Sequence, residues 1–212
     1  MAVIDTQPPK AGRIRTERIG LILKAAEAEF ASHGFRGTTL QSIADHAGLP
    51  KANILYYFSN KQELYEAVLA SIQNLWNHEF DDIHVDDDPA VALRKYIYSK
   101  VDVSRKYPMA SRLFTSEIIH GGHQLAPALK ESTRSWVNDK ILVMQTWVDQ
   151  GRMKAIDPMY LLFLIWGATQ HYADYESQIC AIVNTDKLPS SVYDQAAESI
   201  CDVVLRGCGL KE

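Results

Sequence analysis

A chain of 212 residues with 47% apolar and 23% charged side chains has enough material to bury a core without staples, which excludes a disordered tail or a fibre. Its three cysteines, Cys180, Cys201 and Cys208, contain no Cys-x-x-Cys pair, which argues against a disulfide framework or a zinc ribbon. The start is polar and basic, and the longest apolar stretch (160–168) is far shorter than the ~20 residues a spanning helix needs, so a cytoplasmic protein with no membrane partner is expected.

The elements follow from periodicity and punctuation. Ile19, Ile22, Ala26 and Phe30 recur at helical steps and Gly34 follows as a stop, which predicts a first helix over 16–33. Thr38 or Thr39 caps a short second segment with Leu40, Ile43, Ala44 and Ala47 as its apolar positions, and Gly48 ends it. Leu49-Pro50 opens a third segment that runs to Phe58. Asn60 with Glu63 three residues on resembles a capping box, and Leu64, Val68, Ile72 and Trp76 then line one face of a long fourth helix. Asp88-Pro89 and Asp157-Pro158 each join an acidic N-cap to a proline at the first helical position. Gly121-Gly122 and Gly151 punctuate the remainder, and Ser190/Ser191 opens a last helix that ends near Gly207. About nine helices result, no run demands a strand, and the fold is expected to be all-α.

The formal net charge of −4 is unevenly spread: residues 1–61 hold eight bases and five acids, and residues 62–212 hold fourteen bases and twenty-one acids. A basic first part joined to an acidic remainder points to a polyanion as the partner of the first part. Residues 38–58 supply the means. A short helix ends at Ala47-Gly48, the chain turns, and a second short helix follows. Gly48 suits the left-handed backbone of a tight corner, Ala44 lets the two helices approach, and Ile43, Leu49 and Ile54 or Leu55 fill the wedge. In such a helix-turn-helix the second helix enters the major groove of DNA. Lys51, Ala52 and Asn53 lead that helix, where Lys can pair with guanine, Asn with adenine, and Ala with a thymine methyl. Tyr56, Tyr57 and Lys61 flank it, and Arg36, Thr38 and Thr39 precede the first helix; all suit phosphate contacts. Arg13 and Arg15, on a short flexible arm, are placed to reach an adjacent groove. The same spacing also suits a plain helical hairpin with Tyr56, Tyr57 and Phe58 as core aromatics, and Phe58 is expected to pack on the first helix.

The pattern Gly34-Phe35, Thr38, Ile43-Ala44, Ala47-Gly48, Leu55-Tyr56-Tyr57-Phe58, Lys61 and Leu64 resembles the N-terminal signature of the TetR family of one-component regulators. The resemblance implies a DNA-binding domain over 1–60, a helical ligand-binding and dimerisation domain over 61–212, and repression of a double-stranded operator relieved by a small molecule. Pro50 departs from the pattern, since it stands where the family usually has a Ser or Thr cap. Residues 107–121 and 156–175, with Trp76, further resemble the pyrimidine-responsive branch of this family that governs uracil degradation. That likeness implies a homodimer through the last two helices and an effector such as uracil or thymine.

The residues suit such a ligand. Trp166 and Gln170 are four apart on one helical face, the Gln amide matches an imide edge, and an indole such as Trp166 or Trp76 gives the ring a plane to stack on. Arg112 and Phe114 add a donor and an apolar wall. Each also has a plainer explanation: tryptophan as core filler, Gln170 satisfying a dimer contact, Arg112 paired with Glu117 or another acid. A lipophilic drug, an acyl chain or another nitrogen heterocycle fits the aromatic content as well, although those first two call for an almost wholly apolar lining. No His-Glu-x-x-His, Gly-x-Ser-x-Gly or glycine-rich phosphate loop occurs, so neither an enzyme nor a bound cofactor is expected. His78, Glu79, Asp81, Asp82 and His84 do not share one helical face and read as a solvated polar end, as do His120 and His123 about their Gly-Gly turn; no metal is expected.

Overall fold

The computed structural model of the protein describes residues 10–77, 81, 83–125 and 127–210, without the side chains of 10–13, 77 and 127–129. Among the described residues there are ten helices and no strand. They are α1 (Lys10–Gly37), α2 (Leu40–Ala47), α3 (Lys51–Tyr57), α4 (Lys61–Asn77), α5 (Pro89–Lys106), α6 (Pro108–Ile119), α7 (Pro127–Asp149), α8 (Pro158–Asp174), α9 (Glu176–Val183) and α10 (Ser190–Gly207).

The expected caps act where the sequence puts them. Thr39, not Thr38, is the N-cap of α2: its Oγ1 accepts from Ser42 N at 2.9 Å, and the Ser42 hydroxyl oxygen accepts from Thr39 N in return. Asp88 accepts from the amides of Ala90 and Val91, and Asp157 from that of Met159, each just ahead of a proline in the first turn. Two boundaries differ from expectation. The first helix starts at Lys10, six residues early, because no proline lies between Pro9 and Pro50 to stop it; its far end is broken at Gly34 (φ 67°, ψ 172°). The tenth helix arises because the chain leaves α8 at Tyr175, where a φ/ψ pair outside the helical region (−114°, 25°) interrupts the run, and resumes as α9.

The chain divides into two units, Met1–Leu69 and Ala70–Glu212. The expected boundary at residue 60 rests on the start of α4, whereas the division falls inside that helix. In the first unit Ile22, Ala26 and Phe30 of α1 are buried together with Ile43 and Ala44 of α2, Ile54 of α3 and Leu64, Tyr65 and Val68 of α4. Phe30 meets Tyr65 edge-on with ring centroids 4.7 Å apart, and Phe58 is buried as its spacing implies. In the second unit the core joins Leu93, Tyr96 and Ile97 of α5, Trp147 of α7, Leu162 and Ile165 of α8 and Cys201 and Leu205 of α10. A smaller cluster gathers Val101, Cys180, Leu188, Tyr193 and Ala197. No described helix is long and apolar enough to cross a membrane.

Candidate nucleic-acid interface and effector site

The corner between α2 and α3 is made by Gly48 in the left-handed region (φ 64°, ψ 31°), with the Leu49 amide returning to Ala44 O at 3.0 Å. Ile43, Ala44 and Ile54 are fully buried in the wedge, while Leu55 is half exposed, so Ile54 and not Leu55 is the packing residue. That register decides what α3 presents. Lys51 and Ala52 are exposed and Asn53 half-buried in its first turn, and Tyr56 is 80% exposed. Tyr57 is half-buried and meets Tyr56 at 4.9 Å with the rings nearly perpendicular. Pro50 is itself the N-cap and gives no side-chain cap; its carbonyl accepts from Asn53 N at 2.8 Å.

Two of the expected phosphate contacts have a different position. Thr38 is 1% exposed, and its hydroxyl lies 3.0 Å from Glu29 O and 2.9 Å from Gly34 O, so it closes the end of α1 instead of facing solvent. Lys61 donates to Phe35 O at 2.7 Å and Thr38 O at 2.8 Å and sits over the Phe35 ring, tying α4 to the same turn. Both are frame residues, because a group committed to buried carbonyls has little left for DNA. Arg15 and the arm it was placed on also need correction: Arg15 is exposed but lies within α1. The Arg13 side chain lies outside the described residues. Arg36 and Thr39 are exposed as expected. On the opposite side of the corner His46 Nδ1 lies 3.0 Å from Glu29 Oε1, a contact that holds the Glu29 carboxyl below the usual range.

In the second unit the expected effector residues fall into four places. Trp76 and Phe114 come together, edge to face at 4.7 Å. Trp166 belongs elsewhere: its indole N–H donates to the Tyr96 hydroxyl at 2.6 Å, and its ring lies by Trp136 and Phe163. Arg112 donates to Glu176 at 3.1 Å and to Pro108 O, so its acid is Glu176 and not Glu117. Gln170 is half-buried, one helical turn before Asp174 on the same stripe of α8.

Three polar residues that the sequence reading missed bear on the Trp76 pair, one by contact and two through neighbouring turns. Lys100 of α5 is only 4% exposed, and its ammonium sits 4.9 Å from the centre of the Trp76 ring. Burial pushes it down to about 7, against the opposing pull of Asp174. The Asp174 carboxylate is itself fixed, accepting from Ser111 and Thr115 of α6 at 2.8 Å each. Gln73, one turn before Trp76 on α4, is 6% exposed and donates to Thr133 of α7, while its Oε1 meets no donor among the described residues. The signal was present in the sequence: Leu93, Ile97, Lys100, Val101 and Ser104 share one helical stripe, so periodicity alone carries the lysine inward. Asp81 of the acidic segment accepts from the Trp136 indole, His78, Glu79 and Asp82 lie outside the described residues, and among the described residues no three metal-ligating side chains gather.

Residues 22–68 match the family of bacterial regulatory proteins named tetR, and residues 69–211 match the C-terminal region of YcdC-like proteins. The HTH-type transcriptional regulator RutR of Escherichia coli strain K12 is 36% identical over 198 residues, covering 93% of each chain. Among solved structures, a TetR family transcription regulator from Marinobacter aquaeolei VT8 superposes with a TM-score of 0.68 at 19% identity, over 90% of this chain and 97% of that one. The ketosteroid transcriptional regulator KstR2 of Mycobacterium tuberculosis gives 0.65 at 17%, over 92% and 96%; at such identities the likeness is one of fold. With a corner at Gly48 packed over buried Ile43, Ala44 and Ile54, an exposed first turn on the helix beyond it and both halves of the chain matched, the protein belongs to the TetR family of DNA-binding transcriptional regulators.

Proposed function

We propose that this regulator binds its operator as a homodimer, through base contacts from Lys51, Ala52 and Asn53, and that a pyrimidine base such as uracil or thymine lowers its affinity for that DNA. Arg36, Thr39, Tyr56 and Tyr57 supply phosphate contacts in this reading, and Arg13 and Arg15 extend them from the start of α1. The observation that carries the effector assignment is the polar neighbourhood of one indole: buried Lys100 sits over the Trp76 ring, buried Gln73 lies one turn before it on α4, and half-buried Asp174 acts on Lys100. An acyl chain or a lipophilic drug gains nothing from a buried ammonium, whereas a heterocycle with ring carbonyls does. The likeness of residues 107–121 and 156–175 to the pyrimidine-responsive branch, and the 36% identity with RutR, support the same reading. Trp166 takes a packing role in it, Phe114 stays a wall of the site, and Gln170 borders it. Arg112 holds α6 to α9.

The dimer is assigned to the last two long helices, α8 and α10. Tyr160, Phe163 and Leu164 of α8 are 66%, 49% and 55% exposed and form a stripe continued by Gly167, whose bare backbone lets a second helix come close. α10 contributes an open face that is polar apart from Val203. A location in the cytoplasm, with DNA as the polyanionic partner, completes the reading. By linkage, the pyrimidine weakens DNA binding only so far as it prefers the state that does not bind DNA. Calorimetry with uracil, thymine and cytosine tests the assignment: heat with uracil or thymine is expected, and no heat with any of the three overturns it.

A further inference from the structure

Building on the pyrimidine reading, we infer that Lys100 and Gln73 are the residues that set the specificity of the effector site, Lys100 donating to a ring carbonyl of the ligand and Gln73 accepting from a ring N–H. The ligand class they select is a planar lactam or imide, with a carbonyl next to an N–H.

The Lys100 ammonium lies over the Trp76 ring, and Gln73 is three residues before Trp76, on the same face of α4. Each is buried, and each has capacity left over. A buried ammonium normally finds carboxylate or carbonyl oxygens, because an ammonium stripped of water without them is costly. Here, among the described residues, no hydrogen bond from Lys100 is found, and the nearest acid, Asp174, already has one oxygen on Ser111 and the other on Thr115. Asp174 therefore supplies a field that favours the charged lysine while leaving its protons for another acceptor. The lowered position of Lys100, about 7, is what such an incomplete environment produces.

Gln73 complements it. Thr133 holds the amide by its nitrogen, which fixes the plane of the group and leaves Oε1 buried without a donor. An orphaned acceptor in a buried site marks the place of an absent donor. One donor and one acceptor near one aromatic face make a template that uracil and thymine meet on either side of their imide N3–H, whereas cytosine, lacking that N–H, can meet it only at its N1–H/C2=O edge.

The test is calorimetry on the full chain with uracil, 2-thiouracil and 4-thiouracil, since sulfur accepts hydrogen bonds far more weakly than oxygen. The wild-type protein is expected to bind uracil about tenfold or more tighter than at least one thio analogue. Lys100→Met is expected to lose that preference to within about twofold, and Gln73→Met to weaken uracil by about tenfold while keeping the preference. Wild-type protein that binds uracil and both thio analogues equally overturns the Lys100 assignment without need of a variant. A folded Lys100→Met that discriminates as the wild type does overturns it too, as unchanged uracil affinity in Gln73→Met overturns that of Gln73. Binding of none of the three by the wild type is a different failure, since it removes the pyrimidine reading itself.

Discussion

Thr38 and Lys61, in residues 10–69, direct their polar atoms at backbone carbonyls of Glu29, Gly34, Phe35 and Thr38 itself, and the turn they lock carries α2 and α3. Lys100 and Gln73, in residues 70–210, are buried like Thr38 and more deeply than Lys61, yet keep a donor and an acceptor open. A helix that reads DNA gains from being held in one arrangement before the duplex arrives, because any ordering left over is subtracted from affinity. A site that must respond to a small molecule gains from the opposite, since only groups better satisfied with ligand than without can shift an equilibrium.

The contrast can be broken most forcefully at Lys100. Its folded position of about 7 lies below the 10.5 of a free lysine, so the unfolded chain holds more protons between those values. Stability from this group is therefore fully present above pH 10.5, is lost progressively as pH falls from there, and is gone once pH has fallen through 7, a change on the order of 5 kcal/mol. Lys100→Met is expected to melt furthest above the wild type near pH 6.5, with the gap closing toward pH 10. A gap that ignores pH means the ammonium is solvated.

Next in size comes Lys61→Met, which removes two charge-assisted hydrogen bonds and a ring contact and is expected to destabilise the chain by about 2–4 kcal/mol in urea denaturation. Asn53→Ala is expected to leave the melt unchanged, lose ~1–3 kcal/mol on the cognate operator and relax one base preference in a selection from random duplexes. The smallest effect belongs to Lys51→Ala read against salt: the slope of log affinity on log salt should fall by about one charge or less, whereas Lys61→Met should leave that slope unchanged. Equal slopes in Lys51→Ala and the wild type, with a shallower one in Lys61→Met, would reverse the roles given to the two lysines.

Much of the frame was legible because its signals are local. Gly48, the acid-proline starts of α5 and α8 and the buried stripe Ile22–Ala26–Phe30 each act within a turn or two of the chain. Choices that depend on depth were not. Thr38 and Thr39 are adjacent and chemically alike, and only the packing of α1 decides that one is buried and the other caps α2. Ile54 and Leu55 differ in the same way. For the effector site the sequence offered Trp76 and Phe114, which do meet, but it also offered Trp166, whose indole turns to Tyr96, and Arg112, whose acid is 64 residues away. Lys100 escaped notice because charge suggests a surface, and its place on an apolar stripe outweighs that suggestion only once the stripe is seen to be buried.

The central claim is that one chain couples DNA reading to pyrimidine binding. It is tested most directly by selecting an operator from random duplexes with the full chain, then following its fluorescence anisotropy as uracil is added. The account predicts that saturating uracil weakens DNA binding by about tenfold or more. Affinity unmoved by uracil and by thymine, on DNA the chain binds specifically, contradicts it.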